Sequence, residues 1–408
     1  MKILQVNKFH YPRGGADAYF LSLVDAQRLA GHEVAVFSMH HPDNLPSPWS
    51  KYFVSRVSFN HQSLRDRWLT IGRVIYSLEA KRNFSRLLDD FKPDIIHCHN
   101  IYHHLSPSIL DAAVSRKIPV VMHLHDYNLI AANYALYAKG GHSCDPRRPW
   151  LCLKRRCIKD SLPATALGLL TTWLHHDILK IYERGLDALV APSHYMAGIV
   201  EKYRSNLPTP KVIYNSFDPN LVKQQGANVD KTENYLLYFG RLSEEKGLDI
   251  MIRAAALSGQ PIKIAGIGPE QEKLTNLILE LGAPVELIGY RSGQDLANLI
   301  IKSKAVIISS VCRENMPLSI LEAMSLSKAI IASRIGGLPE IVEHGVNGFL
   351  FEPEDYKDLA EKIKLLDKAD ITVLGEASRN KVSGLSPQAN QEKIMSLYQE
   401  LLTKKNPG

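Results

Sequence analysis

Glu314 and Glu322 stand eight positions apart in Cys312-Arg313-Glu314-Asn315-Met316-Pro317-Leu318-Ser319-Ile320-Leu321-Glu322. A carboxylate accepts two or more hydrogen bonds, so two facing one cavity grip two sets of sugar hydroxyls. The apolar run Ala305–Ser310 precedes them and reads as a buried strand. Pro317 suits the first turn of a helix, where its missing N–H costs nothing. The turn before it then presents backbone N–H groups at a positive dipole end, a site for an anion. Such glutamate pairs are also common on solvated surfaces; the strand, loop and proline around this one favour ligand binding.

Other loops carry matching chemistry. Gly240-Arg241-Leu242-Ser243-Glu244-Glu245-Lys246-Gly247 follows a strand pattern and supplies two cations, Arg241 and Lys246, suited to a diphosphate; read alone, it is also an ordinary charged surface loop. Ile335-Gly336-Gly337-Leu338-Pro339-Glu340 opens a helix with a turn in which backbone approaches a ligand closely. Gly266 and Gly268 mark a further turn. Near the N-terminus, Pro12-Arg13-Gly14-Gly15-Ala16 follows the first strand but is not G-x-G-x-x-G, which counts against a dinucleotide oxidoreductase. In His123-Leu124-His125-Asp126-Tyr127, alternation puts His123 and His125 on one face with Asp126 at the strand mouth. A structural histidine is the ordinary alternative. His97 and His99 also alternate and are assigned to packing or cleft lining. No Asp-x-Asp occurs, so a two-carboxylate clamp for a divalent metal is missing from the sequence.

Short β-branched runs alternate with helical patterns along all 408 residues: near 2–7, 33–39, 94–100, 119–126, 188–193 and 211–216, then 235–240, 262–266, 285–289, 305–310, 329–333 and 348–351. The pattern predicts α/β architecture, with two tandem doubly wound Rossmann-like domains around a central cleft. Residues 1–215 form the first and 216–386 the second, and the final helix, 387–403, packs back on the first. The linker spans Asn206–Glu233, where Pro208, Pro210 and Pro219 interrupt the pattern. The composition, 45% hydrophobic and 22% charged, excludes a disordered chain. No apolar run reaches membrane-span length and the N-terminus lacks a signal-peptide core, so a cytoplasmic protein is expected. Cys144, Cys152 and Cys157, with His142 close by, are read as packed or free thiols or as a Cys3His zinc site of non-standard spacing.

The loops Gly240–Gly247, Gly336–Glu340 and Gly345–Phe349, with the Glu314/Glu322 spacing, resemble the retaining, nucleotide-sugar-dependent glycosyltransferases of family four, which have the GT-B fold and an E-x7-E signature. The resemblance covers essentially the whole chain and is tightest in the second half. It implies that Glu314 holds hydroxyls of the transferred sugar and Glu322 the ribose. Arg241 and Lys246 neutralise the diphosphate, and Asn315, Met316, Pro317 and Leu318 give backbone N–H groups to the donor. The backbone at Tyr290 borders the base, while Gly14, Gly15 and Gly266 line the donor site. His125 and Asp126 lie beside the reacting sugar, His125 orienting it or shuttling a proton. The family is generally metal-independent, so no cofactor is required beyond the nucleotide diphosphate-sugar substrate. A GT-B epimerase, a starch-synthase-like chain extender and a non-catalytic binding protein remain alternatives.

Charge points to the acceptor. Residues 1–215 hold 27 Lys and Arg against 17 Asp and Glu, whereas the remainder is slightly acidic. No nucleic-acid-binding signature accompanies that surplus. The basic segment 138–162 follows His125-Asp126, and Leu167, Leu170, Leu174, Ile178 and Ile181 fall on one helical face after it. A second helical region, Leu64–Leu88, adds Arg65, Arg67, Arg73, Lys81, Arg82 and Arg86. The expectation is a lipid-linked or anionic glycan acceptor met at an anionic membrane surface, with the protein peripheral at the inner face of the cell membrane. Ordinary domain helices with a small soluble acceptor are the alternative.

Overall fold

The computed structural model describes residues 1–57, 71–138, 142–217 and 232–405, with backbone alone at 142 and 143. The chain divides into two compact units, Met1–Tyr214 with Pro387–Gly408, and Asn215–Ser386.

In the first unit the strands are β1 (Lys2–Val6), β2 (Glu33–Phe37), β3 (Ile95–Cys98), β4 (Val120–His123), the hairpin pair β5 (Tyr137–Ala138) and β6 (His142–Ser143), β7 (Ala188–Ala191) and β8 (Lys211–Val212). The main sheet has the order β2-β1-β3-β4-β7-β8, all parallel. Near-continuous Val, Ile and Leu suit strands covered on both faces by helices, and β3, β4 and β7 are buried throughout. The second unit runs β9 (Leu236–Phe239), β10 (Ile262–Ala265), β11 (Val285–Gly289), β12 (Ala305–Ile308), β13 (Ala329–Ser333) and β14 (Gly348–Phe351). Its order, β11-β10-β9-β12-β13-β14, reverses direction between β9 and β12. Ligands in such sheets bind outside the carboxyl ends of strands at that switch point, and Gly240–Gly247 and Val311–Pro317 both leave the sheet there.

The last helix, Pro387–Lys405, outruns the expected 387–403 and belongs to the first unit. Tyr19 donates to Asn390 Oδ1 at 2.8 Å, and Lys211 pairs with Glu400 at 2.6 Å. Tyr398 is fully buried and accepts a hydrogen bond from Gln27 at 3.3 Å.

Three helical expectations are corrected. Pro317 is the residue preceding the helix Leu318–Ser325 rather than part of its first turn; its ψ of 134° is extended. The apolar face expected from Leu167 to Ile181 is not continuous. The helix Leu162–Trp173 passes into a π-helical turn, Leu174–Ile178, and Lys180 at φ 46° breaks the chain before Ile181–Gly185. Ile181 is fully buried while Leu170 and Ile178 are exposed. The region Leu64–Leu88 breaks at Tyr76-Ser77, where the Ser77 hydroxyl caps the helix Leu78–Phe91. That helix buries Phe84, Leu87, Leu88 and Phe91, as an ordinary domain helix does, and Arg73 pairs with Glu79. Arg65, Arg67 and the linker's Pro219 lie outside the described residues.

Candidate functional site

In the second unit, Glu314 is the centre of the loop after β12. Lys246 Nζ donates to Glu314 Oε1 at 2.6 Å, and Ser310 Oγ donates to the same oxygen at 2.6 Å. Burial opposes charge on this carboxyl, but the Lys246 ammonium and the hydrogen bonds from Lys246, Ser310 and Cys312 outweigh it and hold it below the usual carboxylate range. Burial likewise opposes charge on Lys246, and Glu314 overcomes it, raising the amine. Sequence reading assigned Lys246 to a diphosphate and Glu314 to a sugar; here they pair with each other. It missed Ser310, for which the small polar residue ending the strand was the available signal.

The surrounding backbone explains why this loop holds its shape. Gly336 has φ +63°, and a Cβ there would stand 2.1 Å from the Glu314 carbonyl oxygen. Gly337 N–H donates to that oxygen at 2.7 Å. The glycine pair therefore approaches the Glu314 backbone itself, which any side chain at 336 would displace. On the other side, Ser309 Oγ donates to the Lys246 carbonyl at 2.9 Å and Val311 N–H to that of Glu245 at 3.0 Å. Gly247, at φ +61°, lets the first loop lie against Ser309. A Cβ on Gly266 would meet the Gly240 carbonyl at 1.9 Å, so Gly266 seats the same loop. Asn215 Nδ2 holds the Met316 carbonyl at 2.9 Å.

Arg241 is exposed on this loop and makes no ion pair among the described residues. Glu322 lies partly buried in the helix Leu318–Ser325, whose first N–H groups, at Leu318 and Ser319, lack intrahelical partners by construction. Asn315 is partly buried and Tyr290 is 65% exposed. Two cations, a helix start and a largely buried carboxylate thus share one end of the sheet, chemistry suited to a phosphorylated, hydroxyl-rich ligand.

In the first unit, His97 on β3 and His123 at the end of β4 lie in adjacent strands, and His99 and His125 follow just beyond the ends of those strands. Their rings stack with interplanar angles of 14–25°. His99 Nδ1 meets His125 Nε2 at 2.8 Å, and His99 Nε2 meets Gln5 Oε1 at 2.9 Å. His97 Nδ1 meets the Tyr398 hydroxyl at 2.6 Å. Burial lowers His97 and His125 to about 3, with like charge adding to it, so both are neutral at pH 7. His97, fully buried, packs and does not line an opening. A neutral His125 passes its hydrogen bond inward through His99 to Gln5.

Asp126 accepts from the Asn128 N–H at 2.9 Å and from Asn128 Nδ2 at 3.0 Å. Burial raises its pKa against those bonds. This turn fixes the loop after β4, and the Asn two residues on was its readable signal. Gly14 precedes the helix Gly15–Leu29 in extended conformation, with only Asp17 Oδ2 at 4.0 Å from a built Cβ. No close approach demands glycine there. Asn7 and Asp17, joined at 2.9 Å and both buried, were missed.

The sulfur atoms of Cys144, Cys152 and Cys157 lie within 4.8 Å of one another, and no disulfide joins them. The His142 side chain lies outside the described residues.

Residues 13–221 match the model described as Glycosyltransferase Family 4, and residues 222–380 match Glycosyl transferases group 1. The chain belongs to glycosyltransferase family 4. An uncharacterized 42.6 kDa protein of the cps region of Klebsiella pneumoniae is 26% identical over 358 residues, covering 84% of this chain and 87% of its own. The O-antigen chain mannosyltransferase C of Escherichia coli is 24% identical over the whole of both chains. Among solved structures, sucrose-phosphate synthase from Thermosynechococcus elongatus aligns with TM-score 0.71, 18% identity and coverage of 99% and 100%. Anabaena HepE in complex with UDP aligns with TM-score 0.67, 21% identity and coverage of 98% and 100%. The fold is GT-B, and the protein is a glycosyltransferase.

Among the described residues no helix is long and apolar enough to cross a membrane.

Proposed function

We propose that this glycosyltransferase moves a sugar from a nucleotide diphosphate-sugar to a hydroxyl acceptor with retention of anomeric configuration. The observation that carries the reading is the Lys246–Glu314 pair, clamped between Ser310 and the Gly336-Gly337 turn at the end of β12. In this reading the second unit holds the donor. Glu314 binds hydroxyls of the sugar, Glu322 the ribose, and Tyr290 and Gly266 border the nucleotide. The diphosphate arrives between Lys246, Arg241 and the helix start at Asn315–Leu318, and developing charge on the leaving group is met there without a metal ion. Gly14 and Gly15, at a helix start of the first unit, face phosphate or the reacting sugar. His125, neutral and tethered to His99, orients the sugar by hydrogen bonding. The UDP complex of the Anabaena neighbour makes UDP-sugars the first donors to test.

The acceptor proposed is a lipid-linked or anionic glycan intermediate of cell-surface polysaccharide or lipopolysaccharide synthesis, met by a peripheral protein at the cytoplasmic membrane face. The mannosyltransferase relative named for the O-antigen chain supports this, as does the surplus of positive charge in residues 1–215. A corrected apolar stripe adds to it: Leu162, Leu170 and Trp173, 49%, 44% and 50% exposed, share one helix face, while Thr165, Gly168 and Thr171 face inward.

Incubation with a panel of nucleotide sugars and a lipid extract, followed by nucleoside diphosphate release and NMR of the new linkage, tests both parts. Acceptor-dependent release with unchanged anomeric configuration is expected. An inverted product, or no release with any donor, overturns the reading.

A further inference from the structure

Two clusters of metal-ligating side chains occur among the described residues, and their geometries differ in kind. His97, His99 and His123 have ligand atoms within 4.8 Å, but their rings are stacked nearly parallel. Stacked imidazoles direct their lone pairs along parallel planes, so they do not converge on one ion. Both nitrogens of His99 are also engaged, with His125 and Gln5. That cluster is a hydrogen-bonded packing element.

The cysteine cluster is built differently. Cys144, Cys152 and Cys157 come from three places, the residue just after β6, the helix Pro149–Lys154 and the chain just beyond it, yet their sulfurs converge within 4.8 Å. A tetrahedral zinc with bonds of about 2.3 Å to sulfur needs sulfurs about 3.8 Å apart, inside that limit. Cys144 and Cys152 are buried and Cys157 partly so. The backbone that carries them is fixed: Cys144 N–H donates to the Leu136 carbonyl at 2.9 Å, Cys157 N–H to that of Cys152 at 3.1 Å, and Asn133 Nδ2 to that of Cys157 at 3.1 Å.

Apart from the core contacts of Leu136, Cys144 and Cys152, the regular structure of this segment is short. Its strands are two residues long and its helix six, lengths that are not stable alone. Leu136, Arg156, Lys159 and Asp160 all occupy the left-handed region, with φ between 49° and 53°, a strain that surrounding structure must over-determine. The same segment carries Arg147, Arg148, Lys154, Arg155, Arg156 and Lys159, which complement the single negative charge of a zinc bound by three thiolates.

We propose that Cys144, Cys152 and Cys157 bind one structural Zn²⁺ as thiolates, with water in the fourth position. The ion cross-links three parts of the basic segment, and the Asn133 hydrogen bond to the Cys157 carbonyl ties that segment to the loop before it. Binding forms three zinc–sulfur bonds and releases three thiol protons to solvent, so affinity falls as pH falls. No redox step is involved, and all three ligands belong to the first unit.

The test uses the full chain purified with reductant and without chelator. Elemental analysis is expected to give one equivalent of zinc. Replacement by Co²⁺ is expected to give the near-ultraviolet thiolate-to-cobalt charge-transfer band, a signature that needs no variant. In Cys152→Ser/Cys157→Ser the band is lost and zinc falls at least tenfold. Zinc retained by the triple serine variant overturns the proposal. So do three thiols that react with Ellman's reagent equally fast with and without added zinc, or a disulfide between two of them after purification under reductant.

Discussion

Lys246 Nζ donates to Glu314 Oε1 at 2.6 Å, and the two side chains are only 26% and 12% exposed. Neither was expected to serve the other, since sequence assigned one to phosphate and one to sugar. A buried charge that loses its partner is costly, about 3–5 kcal/mol when burial is complete. Lys246→Met is expected to lower stability by about 2–3 kcal/mol, less than that because the pair is partly exposed. Glu314→Gln costs a similar amount by stranding the ammonium. The double variant should recover most of the stability and none of the transfer activity. Urea unfolding of the second unit and nucleoside diphosphate release check the two halves. Retained activity in the double variant would falsify the assigned roles.

The glycines make a sharper distinction than the charges. Gly336→Ala sets a Cβ against the Glu314 carbonyl in a left-handed backbone, so the loop must move. A displacement of about 1 Å at a reacting centre costs on the order of 100-fold in rate. Turnover of Gly336→Ala should fall at least that far while the first unit's unfolding midpoint stays unchanged. Gly14→Ala, extended and open, should change stability by less than about 0.5 kcal/mol. Loss of activity in Gly14→Ala without loss of stability would then report ligand contact at that helix start.

The fold was legible because each expected run of Val, Ile and Leu contains an observed strand, from Lys2–Val6 to Gly348–Phe351. Buried parallel strands carry their signal locally. The glycine and carboxylate motifs of the second unit were legible for the same reason: strand, loop and helix start are contiguous there. What escaped is non-local. Tyr398 meets His97 from 301 positions away, and nothing near either residue announces it. The histidines read as two alternating pairs, and only the adjacency of β3 and β4 makes them one stack. The helix Leu162–Trp173 misled because its inward face is Thr165, Gly168 and Thr171. Gly168 packs so close that a Cβ would stand 2.5 Å from Ile158 Cδ1.

The histidine stack sets an acid limit on the first unit. Burial holds His97 and His125 at about 3 in the fold against 6.5 when exposed, and His99 is lowered in the same direction. Below pH 6.5 the unfolded chain takes up protons that the folded chain does not, so it binds more protons and stability falls with pH. The full contribution is present above about pH 6.5 and is lost progressively toward pH 3. Each such histidine removes about 1.4 kcal/mol per pH unit once well inside that window. Denaturant unfolding of the first unit between pH 7.5 and 4.5 should show an uptake of at least two protons, reduced in His97→Gln/His99→Gln. A stability profile that is flat from pH 6.5 to 5 would mean the stack is solvated or already charged.

The outward stripe Leu162, Leu170 and Trp173 bears on where the enzyme works. An exposed apolar face costs a protein solubility unless something covers it. Trp150, 61% exposed, lies on the adjacent helix Pro149–Lys154, and Lys154 and Arg156 are exposed beside it. Burying a side chain the size of Leu in a membrane interface contributes up to about 1.5–3 kcal/mol. Each basic residue near anionic lipid adds about 1 kcal/mol, screened by salt. The protein should therefore co-sediment with vesicles containing phosphatidylglycerol and release as salt is raised, without binding neutral vesicles. Leu170→Ser/Trp173→Ser should weaken that binding at least tenfold and change unfolding stability far less, by on the order of 1 kcal/mol, because both side chains are about half in solvent. Lys154→Glu/Arg156→Glu should remove the salt-sensitive part. Binding to neither kind of vesicle sinks the membrane assignment, and binding indifferent to both double variants moves it to another surface of the chain.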